Sequence, residues 1–209
     1  MQRLRIIFAK TEGARFLSHL DLMATLEYSL RRAALPLALS QGFNPRPRVS
    51  SAAPLPLGYT AEREILEIVL HQQLPPDEVR ARLQASVPSG ITISSVHELP
   101  PGTKPAAARL RSATYRVALP QPVPDLGSRA TSLLQQETLE VEEEREGKKR
   151  RRDLRPHILW LDASASGDAL RMEVRIHPTG TVRPEQVVEL MGIDTDGLKI
   201  VRERIDLVD

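Results

Sequence analysis

Hydrophobic and polar residues alternate from the start of the chain. Over residues 3–9 (R-L-R-I-I-F-A) the side chains of Leu4, Ile6 and Phe8 fall on one side of an extended segment, which predicts a strand. The period then lengthens. Leu20, Met23, Leu26, Leu30 and Ala33 recur at helical spacing. Ser18 stands three residues before Asp21, an S-x-x-D pattern that starts helices, and Arg31 and Arg32 fall in the expected last turn before Pro36. Leu37–Ser40 reads as a short strand and Glu64–Leu70 as a buried one. Pro76 opens a helix over Asp77–Val87, with Val79, Leu83 and Val87 facing inward; Gly90 closes it, and Ile91–Val96 is the next strand. The order β-α-β-β-α-β is that of the ferredoxin-like fold.

The second half repeats this order without repeating the sequence. Thr114–Leu119 predicts a strand, and Asp125 caps a helix carrying Leu126, Ala130, Leu133 and Leu134. Leu139–Arg145 predicts a strand paired across Gly147 with residues up to Trp160, and Trp160 itself reads as core. Leu170, Met172, Val174 and Ile176 alternate strictly with Arg171, Glu173, Arg175 and His177, the pattern of a half-exposed strand. Pro184 opens a helix with Val187, Val188 and Met191, Gly192 ends it, and Leu198–Leu207 is the last strand. The expected architecture is α+β, two tandem ferredoxin-like domains over 1–104 and 105–209, joined at the P-P-G-T-K-P segment from Pro100 to Pro105.

Composition narrows the chemistry. Hydrophobic residues make up 41% of the 209 and charged residues 27%, the balance of an ordinary globular protein. There is no cysteine, so this chain holds no disulfide, zinc thiolate or Cys-ligated iron–sulfur cluster, and no cofactor is expected in it. No apolar run approaches the roughly 20 residues of a membrane helix, and Met1-Gln2-Arg3 leads directly into a strand, so a cytoplasmic protein without membrane contact is expected. The net charge is +2, but residues 1–58 hold eight Lys or Arg against three acids. A second basic run, Lys148, Lys149, Arg150, Arg151 and Arg152, follows an acidic one from Glu137 to Glu146. Segregated charge of this kind suits a local anionic partner.

Two polar segments flank the first helix. Arg15, Ser18, His19 and Asp21 gather at its start, where backbone N–H groups favour anions and a histidine can move protons near neutral pH, so His19 and Asp21 are the candidate catalytic residues. The blander account is that Ser18 and Asp21 merely cap the helix. Beyond the helix, Ser40, Gln41, Phe43, Asn44, Arg46 and Arg48 stand in a proline-punctuated stretch that could stack a base on Phe43 and hold phosphates with Arg46 and Arg48; otherwise it is a rigid crossover with Phe43 in the core. Lys148–Arg152 could follow a phosphate backbone, or be a solvated hairpin tip answering Glu142–Glu146. His71, His97, His157 and His177 have no metal-ligand spacing, and phosphate-loop, dinucleotide and nucleophile-elbow motifs are absent.

At R-F-L-S-H-L-D-L (15–22), L-R-R-A-A-L-P-L (30–37), S-Q-G-F-N-P-R-P-R (40–48) and P-L-P-L-G (54–58), the chain resembles the radical SAM-linked proteins, an uncharacterised bacterial family. Members stand alone or follow a cobalamin-binding radical SAM enzyme. Where this chain has Arg46 the family often has histidine. The resemblance implies work beside radical SAM chemistry on RNA or the translation apparatus, since such genes tend to lie near ribosomal-protein and ribonuclease genes. A chain without cysteine would leave the radical step to a partner. The leading expectation is therefore a non-catalytic RNA-binding or substrate-presenting subunit for a radical SAM enzyme on another chain. One alternative is a metal-independent endoribonuclease using His19 as base; another is a protein-docking module that binds no nucleic acid. The sequence leaves the oligomeric state open.

Overall fold

The computed structural model describes residues 1–145, 148–177 and 180–208. The elements run β1 (Gln2–Lys10), α1 (His19–Arg32), β2 (Val49–Ser51), β3 (Thr60–Leu70), α2 (Pro76–Gln84), β4 (Ile91–Glu98), β5 (Leu110–Ala118), α3 (Leu126–Gln135), β6 (Glu140–Arg145), β7 (Lys148–Asp153), β8 (Ile158–Ala163), β9 (Ala169–His177), β10 (Gly180–Thr181), α4 (Pro184–Leu190) and β11 (Lys199–Leu207). The fold is α+β, with mostly antiparallel strands and four α-helices among the described residues. The chain divides into two compact units, Met1–Leu110 together with the last residues from Leu207, and Arg111–Asp206. The expected boundary at 104/105 lies six residues before this division, inside the first unit, where the Ala106 backbone still hydrogen-bonds the Glu67 carboxylate. The chain's end also returns to the first unit, where the Val208 N–H donates to the Arg109 carbonyl at 2.7 Å.

In the first unit the strand order is β4-β1-β3-β2. Strand β1 runs antiparallel to both β3 and β4, and β2 runs antiparallel to β3. The alternation read at the start of the chain is kept: Leu4, Ile6 and Phe8 are buried, and Arg3, Arg5 and Ile7 face the other way. Leu22, Leu26 and Leu30 of α1 and Val79 and Leu83 of α2 complete the core. Leu20, expected on the inner face, points outward at 79% exposure, and Leu22 takes the inner position. Leu37–Ser40 is not a strand. It makes only isolated bridges, Leu37 to Leu70 and Leu39 to Pro47, and the second strand is Val49–Ser51. The prolines explain the shift: Pro36 and Pro47 have no N–H to give to a ladder.

In the second unit β5 lies between β9 and β11, and both β8 and β10 pair with β9. Ala113, Tyr115 and Val117 pair in register with Val174, Met172 and Leu170, a buried row of six. The pairing expected across Gly147 ends at Asp153, and β6 and β7 form a separate two-stranded sheet, Glu140 opposite Asp153. Asp153 breaks the run by accepting from the backbone N–H groups of Leu139 and Arg155 at 2.7 and 2.9 Å. Trp160 therefore belongs to β8 and not to the hairpin, and it is half-buried on the face away from the core. Its indole N–H donates to Glu173 at 2.6 Å, which explains why a large ring settles at a polar face. Asp125 holds the N-cap position of α3, but its side chain makes no cap hydrogen bond; its carboxylate accepts from Arg129 Nε at 2.9 Å.

Candidate functional site

The helix start is built as a cap. The Ser18 hydroxyl accepts from the Asp21 N–H at 3.2 Å and donates to the Asp21 carboxylate at 2.6 Å. This satisfies backbone donors that the first helical turn leaves open. His19, the first helical residue, is half-buried, with its Nδ1 sheltered from solvent. Arg15 acts as a clamp between loops. Its Nε donates to the Gly58 carbonyl at 2.8 Å, and the Gly58 N–H donates back to the Arg15 carbonyl at 3.2 Å. Its guanidinium also lies 3.7 Å from Glu12 and 5.6 Å from the centre of the Phe16 ring.

The Ser40–Arg48 segment is a braced hairpin. The Ser40 N–H donates to the Arg46 carbonyl at 2.8 Å, and the Ser40 hydroxyl accepts from the Arg46 N–H at 3.0 Å. The Arg48 N–H donates to the Ala38 carbonyl at 2.8 Å, while Val69 of β3 donates to Arg48 at 3.0 Å. Gly42 supplies a positive φ of 127° at the turn. Gln41, Phe43, Asn44, Arg46 and Arg48 are all exposed, and Phe43 is wholly so, at 106%. The account that buries Phe43 in the core is thereby corrected. The Arg48 guanidinium lies 3.6 Å from the Met1 sulfur, a contact no sequence pattern announces.

These two segments do not meet. Lys10, next to the helix start, pairs with Ala61 at the beginning of β3; the hairpin is anchored on Val69 and Leu70 at its end. Eight strand residues separate the two levels, about 26 Å at the rise of an extended chain. Catalysis shared between His19 and Arg46 is therefore outside the geometry of this unit.

In the second unit the side chains of Lys148, Lys149 and Arg150 lie outside those described. Glu142 pairs with Arg151 in the ladder, with 3.6 Å between their charged groups, and Arg152 donates to the Thr181 carbonyl at 3.3 Å. That much agrees with charges answering one another across the hairpin. Among the described residues no group of three or more His, Asp or Glu has the geometry to hold a metal.

The sequence matches, over residues 3–184, a family described as an uncharacterized protein conserved in bacteria, DUF2344. The chain belongs to this family. No curated protein matches it. Among solved structures it is similar to a chain in the crystal structure of a Cbf5-Nop10-Gar1 complex, at 9% identity and a TM-score of 0.47, over 95% of this chain and 48% of that one. The chain thus spans about half the length of that solved chain.

Two further features of this DUF2344 protein escape its sequence pattern. On the outer face of the second sheet, Arg116 and Arg171 both donate to Glu203, at 3.0 and 2.7 Å, and the Arg171 guanidinium lies 6.0 Å from the Trp160 ring. Only the three-dimensional register brings β5, β8, β9 and β11 side chains together there. On α1, Leu20 and Tyr28 are exposed at 79% and 66%. Their i, i+8 spacing was a legible signal, but it lay within a pattern that equally suited a core face.

Proposed function

We propose that this protein is a non-catalytic binding subunit that holds single-stranded RNA at the Ser40–Arg48 hairpin and presents it to a radical SAM enzyme on another chain. The observation that carries this reading is Phe43, a wholly exposed aromatic ring on a hydrogen-bonded, proline-stiffened turn beside exposed Arg46 and Arg48. Exposing such a ring to water is unfavourable unless a partner covers it. A base stacked on Phe43, with phosphates at Arg46 and Arg48, uses the ring and both charges, and Gln41 and Asn44 are within the same turn for base-edge hydrogen bonds. The resemblance to radical SAM-linked proteins supports the choice of partner, and the lack of cysteine is consistent with chemistry supplied from elsewhere. Such a role belongs to the cytoplasm. The strand order β4-β1-β3-β2, matched by β11-β5-β9-β8 in the second unit, supports reading each unit as ferredoxin-like, the second with the β6–β7 hairpin inserted.

Cleavage by His19 draws less support, because Ser18 and Asp21 are already bonded to each other and the hairpin lies at the far end of β3. Fluorescence anisotropy with a labelled single-stranded RNA at two salt concentrations tests the proposal. Phe43→Ala should weaken binding about 5- to 150-fold, the range of one lost stacking contact. Arg46→Ala/Arg48→Ala should make the salt dependence shallower by about 1.4 in log–log slope, at about 0.7 per phosphate contact. RNA affinity that none of these substitutions changes would overturn it, and cleavage lost in His19→Ala would favour the ribonuclease.

A further inference from the structure

We infer that helix α1 is a self-association surface, on which a second copy of this chain packs antiparallel. The inference is independent of any RNA role. Leu20, Ala24 and Tyr28 follow one another at four-residue steps along the outer side of α1, and all three are exposed. Phe16, 77% exposed, stands in the turn just before the helix. Beside the stripe a groove of about 440 Å³ opens between α1 and the Ser86–Pro88 turn, with Ala24 and Tyr28 on its wall. Three apolar or aromatic side chains at four-residue steps on one helix face, with Phe16 exposed just before the helix, are more than scattered surface hydrophobes.

The charges on the same face select the occupant. Asp21 lies in the first turn, and Arg31 and Arg32 in the last; within one chain Arg31 stands 4.0 Å from Glu27 and Arg32 donates to the Ser86 carbonyl, so Arg31 is the cation that a second copy's Asp21 would share. Suppose two copies cross antiparallel, centred level with residue 26. Ala24 of each copy then faces Tyr28 of the other, so that each ring enters the other's groove beside a small side chain. Asp21 of each copy faces Arg31 of the other, giving two ion pairs, and the helix dipoles oppose favourably. A parallel arrangement would set Asp21 against Asp21 and Arg31 against Arg31, which repel. The exposed parts of Phe16, Leu20 and Tyr28 offer roughly 400 Å² per copy. With the groove and the charged rim, the two copies together reach about the 1,000 Å² that a specific interface needs.

Sedimentation equilibrium of the full chain up to about 100 μM tests this. The expected mass is twice the 23.3 kDa of one chain. Tyr28→Glu and Ala24→Arg, both at exposed helix positions, should each give the single-chain mass with an unchanged circular dichroism spectrum. Asp21→Arg should weaken association about tenfold, and Asp21→Arg/Arg31→Asp should restore it, a rescue that only the antiparallel self-pairing predicts. A wild-type chain that stays at 23.3 kDa overturns the inference. So does a dimer indifferent to both Tyr28→Glu and Ala24→Arg, and so does a charge swap that folds without restoring association.

Discussion

Glu67 sits between two arginines in the middle of β3, only 4% exposed, and accepts from Arg3 and from Arg5, the latter at 2.7 Å. Burial pushes its carboxyl pKa up, but the hydrogen bonds from Arg5 and Arg3 and the Ala106 backbone outweigh burial, and the net shift is downward from 4.5. Glu203, held by Arg171 and Arg116, and Glu173, held by Ser112 and Trp160, are lowered in the same way against their own burial. A carboxyl lowered by folding stabilises the native state above its unfolded pKa, and that stability is lost as pH falls through the lower folded value. Urea titrations between pH 7 and pH 3 should therefore show stability falling away below about pH 4.5. Glu67→Gln should lower stability at pH 7 by roughly 1–3 kcal/mol and flatten the acid limb, since the remaining amide cannot answer two guanidinium groups.

At the scale of the element, two small residues set the start of α1. Ser18→Ala removes the cap bond and should cost about 1 kcal/mol, a fall in Tm of about 2–4 °C by calorimetry. Gly90 has a φ of 90°, and a Cβ there would stand 2.5 Å from the Ala14 nitrogen. The Thr11–Ala14 turn that leads into α1 closes on this glycine, with the Thr11 N–H donating to its carbonyl at 2.8 Å. Gly90→Ala should therefore cost more than Ser18→Ala in the same experiment, about 1–3 kcal/mol. Elements with strong local signals were legible in the sequence: β1 and β9 from strict alternation, the α1 start from S-x-x-D, α2 and α4 from their leading prolines. What was not legible depended on long-range pairing. Val49–Ser51 has a strand's role only because β3 lies beside it, and nothing local says that β7 stops at Asp153 while β8 turns to β9. The same holds for the candidate site. Each residue of Ser40–Arg48 could be named from the sequence, but the exposure of Phe43 and the distance from His19 follow from register alone.

For the whole molecule, no helix among the described residues is long and apolar enough to cross a membrane. On the first unit the described surface carries two separate features: the bare aromatic at the hairpin tip near the end of β3, and the cap and clamp of Ser18, Asp21 and Arg15 near its beginning. Two sites this far apart that share no contact should behave as independent terms in free energy. A Ser18→Ala/Phe43→Ala double variant should then lose the stability of the first substitution and the ligand affinity of the second, each within about 0.5 kcal/mol of the single-variant value. A genetic screen would see that independence as two classes of allele within one small protein, one that lowers its abundance and another that leaves abundance intact and silences it.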